Sequence, residues 1–78
     1  MNQEFEISSE YIELNKLLKA SGLCDSGGFA KMVIKDGLVT VDGEIETRVR
    51  RKIKNEGIIQ YNNQTLQVIF KTKFKRDI

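Results

Sequence analysis

The chain has 78 residues, with 13 Lys and Arg against 11 Asp and Glu and a formal net charge of +2. One Cys and the absence of His, Pro and Trp exclude an internal disulfide and His-based acid–base or nucleophilic chemistry, and they argue against a protein-only zinc site. The length suits one domain of small stability margin, because a chain this short buries only about 60–65% of its unfolded surface.

In chain order, Phe5 and Ile7 alternate with Glu4, Glu6 and Ser8, a two-residue period that predicts a short strand. Leu14, Leu17 and Leu18 then fall at helical spacing and predict a helix over about 13–20, closed by Gly22, which tolerates positive φ. A second helix is expected over about 27–36, with Ser26 as its cap. Its inner stripe is Ala30, Val33 and Ile34, ending at Gly37, while Lys31 and Lys35 share another face.

After Gly37 the period changes to two. Val39 and Val41 read as a strand, and Asp42-Gly43 is a strong hairpin signal. The return segment runs from Glu44 to Lys54. Extended throughout, it would bury Ile45, Thr47, Val49 and Ile53 and project Glu46, Arg48, Arg50 and Lys52 into water. Arg51 has the wrong parity for that basic row, so a loop or bulge is expected near Arg50-Arg51. Further turns at Asn55-Glu56-Gly57 and Asn62-Asn63 frame short strands over Ile58 to Tyr61 and around Leu66, Val68 and Phe70. The fold class is α+β, two helices segregated from a small, mainly antiparallel sheet. Residues 1–10 form an N-terminal segment, 11–70 the domain and 71–78 a basic tail.

Charge is unevenly spread. Residues 1–30 hold two bases and five acids, and residues 31–78 hold eleven bases and six acids. Arg48, Arg50, Arg51, Lys52 and Lys54 cluster in one stretch, and Lys71, Lys73, Lys75 and Arg76 in the tail. Such clusters are either a solvated face or an electrostatic footprint for a polyanion, and Arg suits bidentate contact with phosphate. Lys31 and Lys35 are either solubilising or phosphate contacts. Gly27 and Gly28 either let backbone N–H groups approach a phosphate at a helix start or only permit a tight turn. Phe29, Tyr61, Phe70 and Phe74 do not interleave with the bases as a stacking platform would, and Cys24 reads as packing.

The run Leu14-x-x-Leu17-Leu18-Lys19, Gly22-Leu23, Ser26-Gly27-Gly28-Phe29-Ala30-Lys31, Ile34-Lys35-Asp36-Gly37-Leu38-Val39-x-Val41-Asp42-Gly43 and Glu46-Thr47-Arg48 resembles the RNA-binding domain named after ribosomal protein S-four, also called the alpha-L motif. It is most similar to the small stand-alone bacterial members, and Ser26 to Gly43 is its most specific part. The resemblance implies an alpha-L fold that grips structured RNA on its helix corner and adjoining loop and leaves any chemistry to other domains. It implies that Ser26 opens the second helix, that Lys31 and Lys35 hold basic positions along it, and that Arg48 lies in a basic loop. Many members carry Arg directly after the Ser. Gly27 stands there in this chain, as in the stand-alone subgroup.

Together these features lead to the expectation of a small non-catalytic RNA-binding protein, with rRNA or tRNA, and the ribosome, as the candidate partners. Its expected contacts are Ser26, Gly27, Gly28, Lys31, Lys35, Arg48, Arg50, Arg51, Lys52 and Lys54. No cofactor, metal or small-molecule substrate is expected. No apolar run reaches the ~18–20 residues that span a bilayer, and the acidic N-terminus is unlike a signal peptide, so a cytoplasmic location is expected. The rival expectation is a protein-interaction module that docks a partner through its sheet edge.

Overall fold

The computed structural model describes residues 2–71. Seven strands and two helices follow one another as β1 (Asn2–Ile7), β2 (Ile12–Glu13), α1 (Leu14–Ala20), α2 (Gly27–Lys35), β3 (Thr40–Val41), β4 (Glu44–Ile45), β5 (Lys52–Ile53), β6 (Ile58–Tyr61) and β7 (Gln64–Phe70). The main sheet has the order β1-β7-β6-β3-β4, and β2 pairs with β5 in a separate two-stranded ribbon.

Both helices end, and α2 also begins, where local chemistry dictates. The Ser26 hydroxyl accepts from Phe29 N at 3.1 Å, and the Ser26 carbonyl accepts from Ala30 N at 3.0 Å. At the far end of α2, Gly37 adopts φ +75°, its N–H donates to the Ile34 carbonyl, and Leu38 N donates to the Val33 carbonyl. This is a Schellman closure, which needs a residue that is comfortable at positive φ. α1 ends at Gly22 (φ +86°), with Cys24 N on the Leu18 carbonyl at 3.0 Å. Its start is different, because Glu13 precedes it and makes no side-chain cap. The first N–H groups of α1 instead go to a distant loop: Leu14 N donates to the Arg51 carbonyl at 2.8 Å and Asn15 N to the Val49 carbonyl at 3.0 Å.

The expected N-terminal strand is present and lies parallel to β7, from Asn2↔Thr65 to Ile7↔Phe70. The other ladders are antiparallel. Asp42 and Gly43 (φ 53° and 88°) turn β3 into β4, and Asn62 and Asn63 (φ 55° and 64°) turn β6 into β7. Paired positive φ angles match the twist of a two-residue hairpin. The Asp42 carboxylate accepts from Ile58 N at 3.0 Å while Asp42 N donates to the Ile58 carbonyl at 2.7 Å, which fastens the first turn to β6.

The core lies between the helices and the sheet. Leu14, Leu17 and Leu18 of α1 and Ala30, Val33 and Ile34 of α2 meet Val39, Val41, Ile53, Ile59, Leu66 and Val68. Burying each of the larger side chains contributes about 1.5–3 kcal/mol. Cys24 is buried in the same cluster, as packing predicted. Among the described residues, no helix is long and apolar enough to cross a membrane.

Candidate nucleic-acid interface

The segment from Glu44 to Lys54 is not extended throughout: the loop expected near Arg50-Arg51 is present, and it begins earlier, at Glu46. It is extended only at β4 and β5, and residues 46–51 between them form a loop with a turn at Val49-Arg50. The expected burial pattern therefore fails at its start. Ile45 is 67% exposed and Thr47 is exposed, whereas Glu46 is 6% exposed. The physical reason is polar satisfaction. Once the strand ends, parity no longer fixes direction, and the Glu46 carboxylate turns inward because its hydrogen bonds are met there.

Four donors meet that carboxylate. Arg48 Nε lies 3.0 Å from Oε2 and Arg48 Nη2 3.0 Å from Oε1, a bidentate fork, and Arg48 N donates to Oε2 at 2.8 Å. Arg51 Nη1 donates to Oε1 at 2.7 Å. The Glu46 amide donates in turn to the Val39 carbonyl at 3.0 Å, tying the loop to the start of β3. The Arg48 hydrogen bonds lead in holding the Glu46 carboxyl down at about 2, well below the usual carboxylate range; burial works against them, and Arg51 and the Arg48 amide add to the lowering. One anion thus holds two cations, and the stretch keeps a positive excess.

The loop and β5 shape an open hollow of about 540 Å³ lined by Arg48, Arg50, Arg51, Lys52 and Lys54. A second hollow of about 560 Å³ shares Arg51, Lys52 and Lys54 and extends to Val41, Asp42, Ile53 and the 55–57 turn. Arg50 and Lys54 are exposed and have no ion-pair partner among the described residues. Lys52 Nζ sits 4.9 Å from the centre of the Tyr11 ring, a cation–π contact between β5 and the segment before α1. The Gly57 backbone closes the second hollow tightly. A Cβ there would stand 2.7 Å from Ile53 Cγ2 and 3.1 Å from the Lys54 carbonyl oxygen.

Five of the ten expected contact residues therefore share one concavity, and the other five are four residues of α2 and its cap, Ser26. Lys31 and Lys35 are exposed, without ion pairs among the described residues, and do not line the basic hollow. Ser26, Gly27 and Gly28 form the N-terminal end of α2. A Cβ at Gly27 would meet nothing within 4 Å, so the space above this helix start is open. In the tail, Lys71 pairs with Glu6 at 3.4 Å, both largely exposed, while Lys73, Lys75, Arg76 and Phe74 lie outside the described residues. Phe29 is 40% exposed, and Tyr61 and Phe70 pack against the core. Sequence reasoning missed Glu46, which it placed in water. The available signal was an acid two residues before Arg48 and five before Arg51.

The chain matches the S4 domain over residues 5–69. It is 41% identical over 59 residues to YbcJ of Escherichia coli (strain K12), covering 76% of this chain and 84% of YbcJ, and the same figures hold for YbcJ of Shigella flexneri. The solution structure of YbcJ from E. coli, which carries an alfaL motif involved in RNA-binding, superposes with a TM-score of 0.67 at 37% identity and 85% coverage of both chains. The 30S ribosomal protein S4e from Thermoplasma acidophilum shares the fold, with a TM-score of 0.63 at 19% identity, covering 90% of this chain and 40% of that one. The chain belongs to the S4 domain family, and its fold is the alpha-L arrangement of two helices on a mainly antiparallel sheet.

Proposed function

We infer that this protein is a small, non-catalytic RNA-binding protein that grips structured RNA, rRNA or tRNA, in the bacterial cytoplasm, with the ribosome as its candidate assembly. The observation that carries this reading is the hollow lined by Arg48, Arg50, Arg51, Lys52 and Lys54 and by no acid. Guanidinium and ammonium groups on a concave surface bind phosphate, release counterions and follow the shape of a folded backbone. Lys31, Lys35 and the open α2 start with Ser26, Gly27 and Gly28 would add phosphate contacts from a second element. The likeness to YbcJ, whose motif is described as involved in RNA-binding, supports the reading.

Charge reversal at Arg50, Lys52 and Lys54, which have no ion-pair partner among the described residues, tests it. RNA binding should be lost while the fold, followed by circular dichroism, is retained. A rival reading, docking of a protein partner at the sheet edge, draws on Leu38 and Ile45, which are 55% and 67% exposed beside and on edge strand β4. That reading gains if the reversed variant still captures a protein partner and RNA never co-purifies with the natural chain.

A further inference from the structure

We propose that Glu46 is a positioning residue for RNA: a buried carboxylate that fixes Arg48 and Arg51 side by side so that their remaining N–H donors face one backbone segment of the nucleic acid. This rests on the RNA-binding reading above and adds a role for an acid inside a basic site, where charge counting alone assigns it a penalty.

The geometry gives Glu46 a specific task. A guanidinium has five N–H donors in a rigid fork. Arg48 commits Nε and one N–H of Nη2 to the carboxylate, and Arg51 commits one N–H of Nη1. Both guanidiniums thus keep donors for a ligand after they are held. Arg48 remains 73% exposed and Arg51 35% exposed, although the carboxylate between them is 7% exposed. The anion is hidden and the cations are presented. Both arginines line the basic hollow and Glu46 does not.

Holding matters because free Arg side chains carry substantial rotamer entropy, which binding would otherwise have to remove. The strut also reaches the backbone. Arg48 N donates to the same carboxylate, Arg51 N donates to the Arg48 carbonyl at 3.3 Å, and the Arg51 carbonyl accepts from Leu14 N. Through that chain one side chain sets two guanidiniums against the start of α1. Lysine in place of either arginine would keep the charge and lose the fork.

The test is RNA affinity measured by fluorescence anisotropy with bulk tRNA and fragmented rRNA as probes, at one fixed salt concentration. Glu46→Gln makes the site one charge more positive, so an electrostatic account predicts tighter binding. Positioning predicts weaker binding by about tenfold. In an Arg48→Ala/Arg51→Ala background the Glu46→Gln effect should vanish, because the residue acts through those two side chains. Arg48→Lys, checked for retained fold by circular dichroism, should bind nearly as weakly as Arg48→Ala. Binding by Glu46→Gln equal to or tighter than that of the natural chain overturns the proposal. So does a loss that persists in the double-alanine background, or an Arg48→Lys chain that binds as well as the natural one. If the natural chain itself binds neither probe at low salt, the RNA reading falls, and this role falls with it.

Discussion

The Arg51 carbonyl oxygen accepts the Leu14 amide at 2.8 Å, so the basic loop serves as the N-terminal cap of helix α1. A helix start normally leaves its first N–H groups to water or to a capping side chain. Here Val49 and Arg51 supply carbonyls, and the conformation of the cationic loop and the integrity of α1 become one property. In native-state hydrogen exchange the Leu14 and Asn15 amides should be protected together, well above the level of frayed helix ends. Glu46→Gln should speed the exchange of both in parallel. Rapid exchange at these amides in the natural chain would contradict the coupling.

The reciprocal bonds between Asp42 and Ile58 give a second expectation. Asp42 sits at φ 53°, where a short polar side chain is tolerated and alanine is strained. Asp42→Ala should lower stability to urea by about 1–2 kcal/mol, the sum of the lost side-chain bond and the backbone strain. Asp42→Asn keeps an acceptor oxygen and should cost less than about 0.5 kcal/mol. Equal losses for the two variants would show that the side-chain acceptor is irrelevant.

The held-down Glu46 carboxyl sets a pH dependence. Its pKa is lowered on folding, from an ordinary 4.5 to about 2, so the folded state binds fewer protons than the unfolded one in between. Its contribution to stability is present in full above about pH 4.5 and is lost as pH falls toward 2. Urea midpoints taken between pH 6 and pH 2.5 should decline in this window, and Glu46→Gln should flatten part of the decline. An identical pH profile in the variant would remove Glu46 as the source.

Much of the fold was legible because local chemistry and tertiary structure agree. Ser26, Gly22 and Gly37 bound the helices where cap and stop signals stand, and Asp42-Gly43 turns the chain as its φ preferences require. The parallel pairing of β1 with β7 was not legible, since residues far apart in sequence choose each other by what the core has left uncovered, which no local period records. The inward turn of Glu46 escaped for a related reason. Alternation assigns a face only while a strand continues, and β4 ends at Ile45. Beyond that point the decisive fact was the saturation of a carboxylate by Arg48 and Arg51, a contact between side chains of one loop. The cationic cluster itself was visible in the sequence. That Lys31 and Lys35 stand on the second helix was legible too; that they do not line the hollow emerges only from the fold.

The central claim is that loop cations hold RNA phosphates, and the salt dependence of binding tests it most directly. Five cations offset by one carboxylate should neutralise about four phosphates, which gives a slope of about −3 to −4 in log affinity against log salt. Between 50 and 200 mM monovalent salt the affinity for tRNA or fragmented rRNA should therefore fall about 100-fold. An affinity unchanged across that range, or no binding at its lower end, would contradict the account.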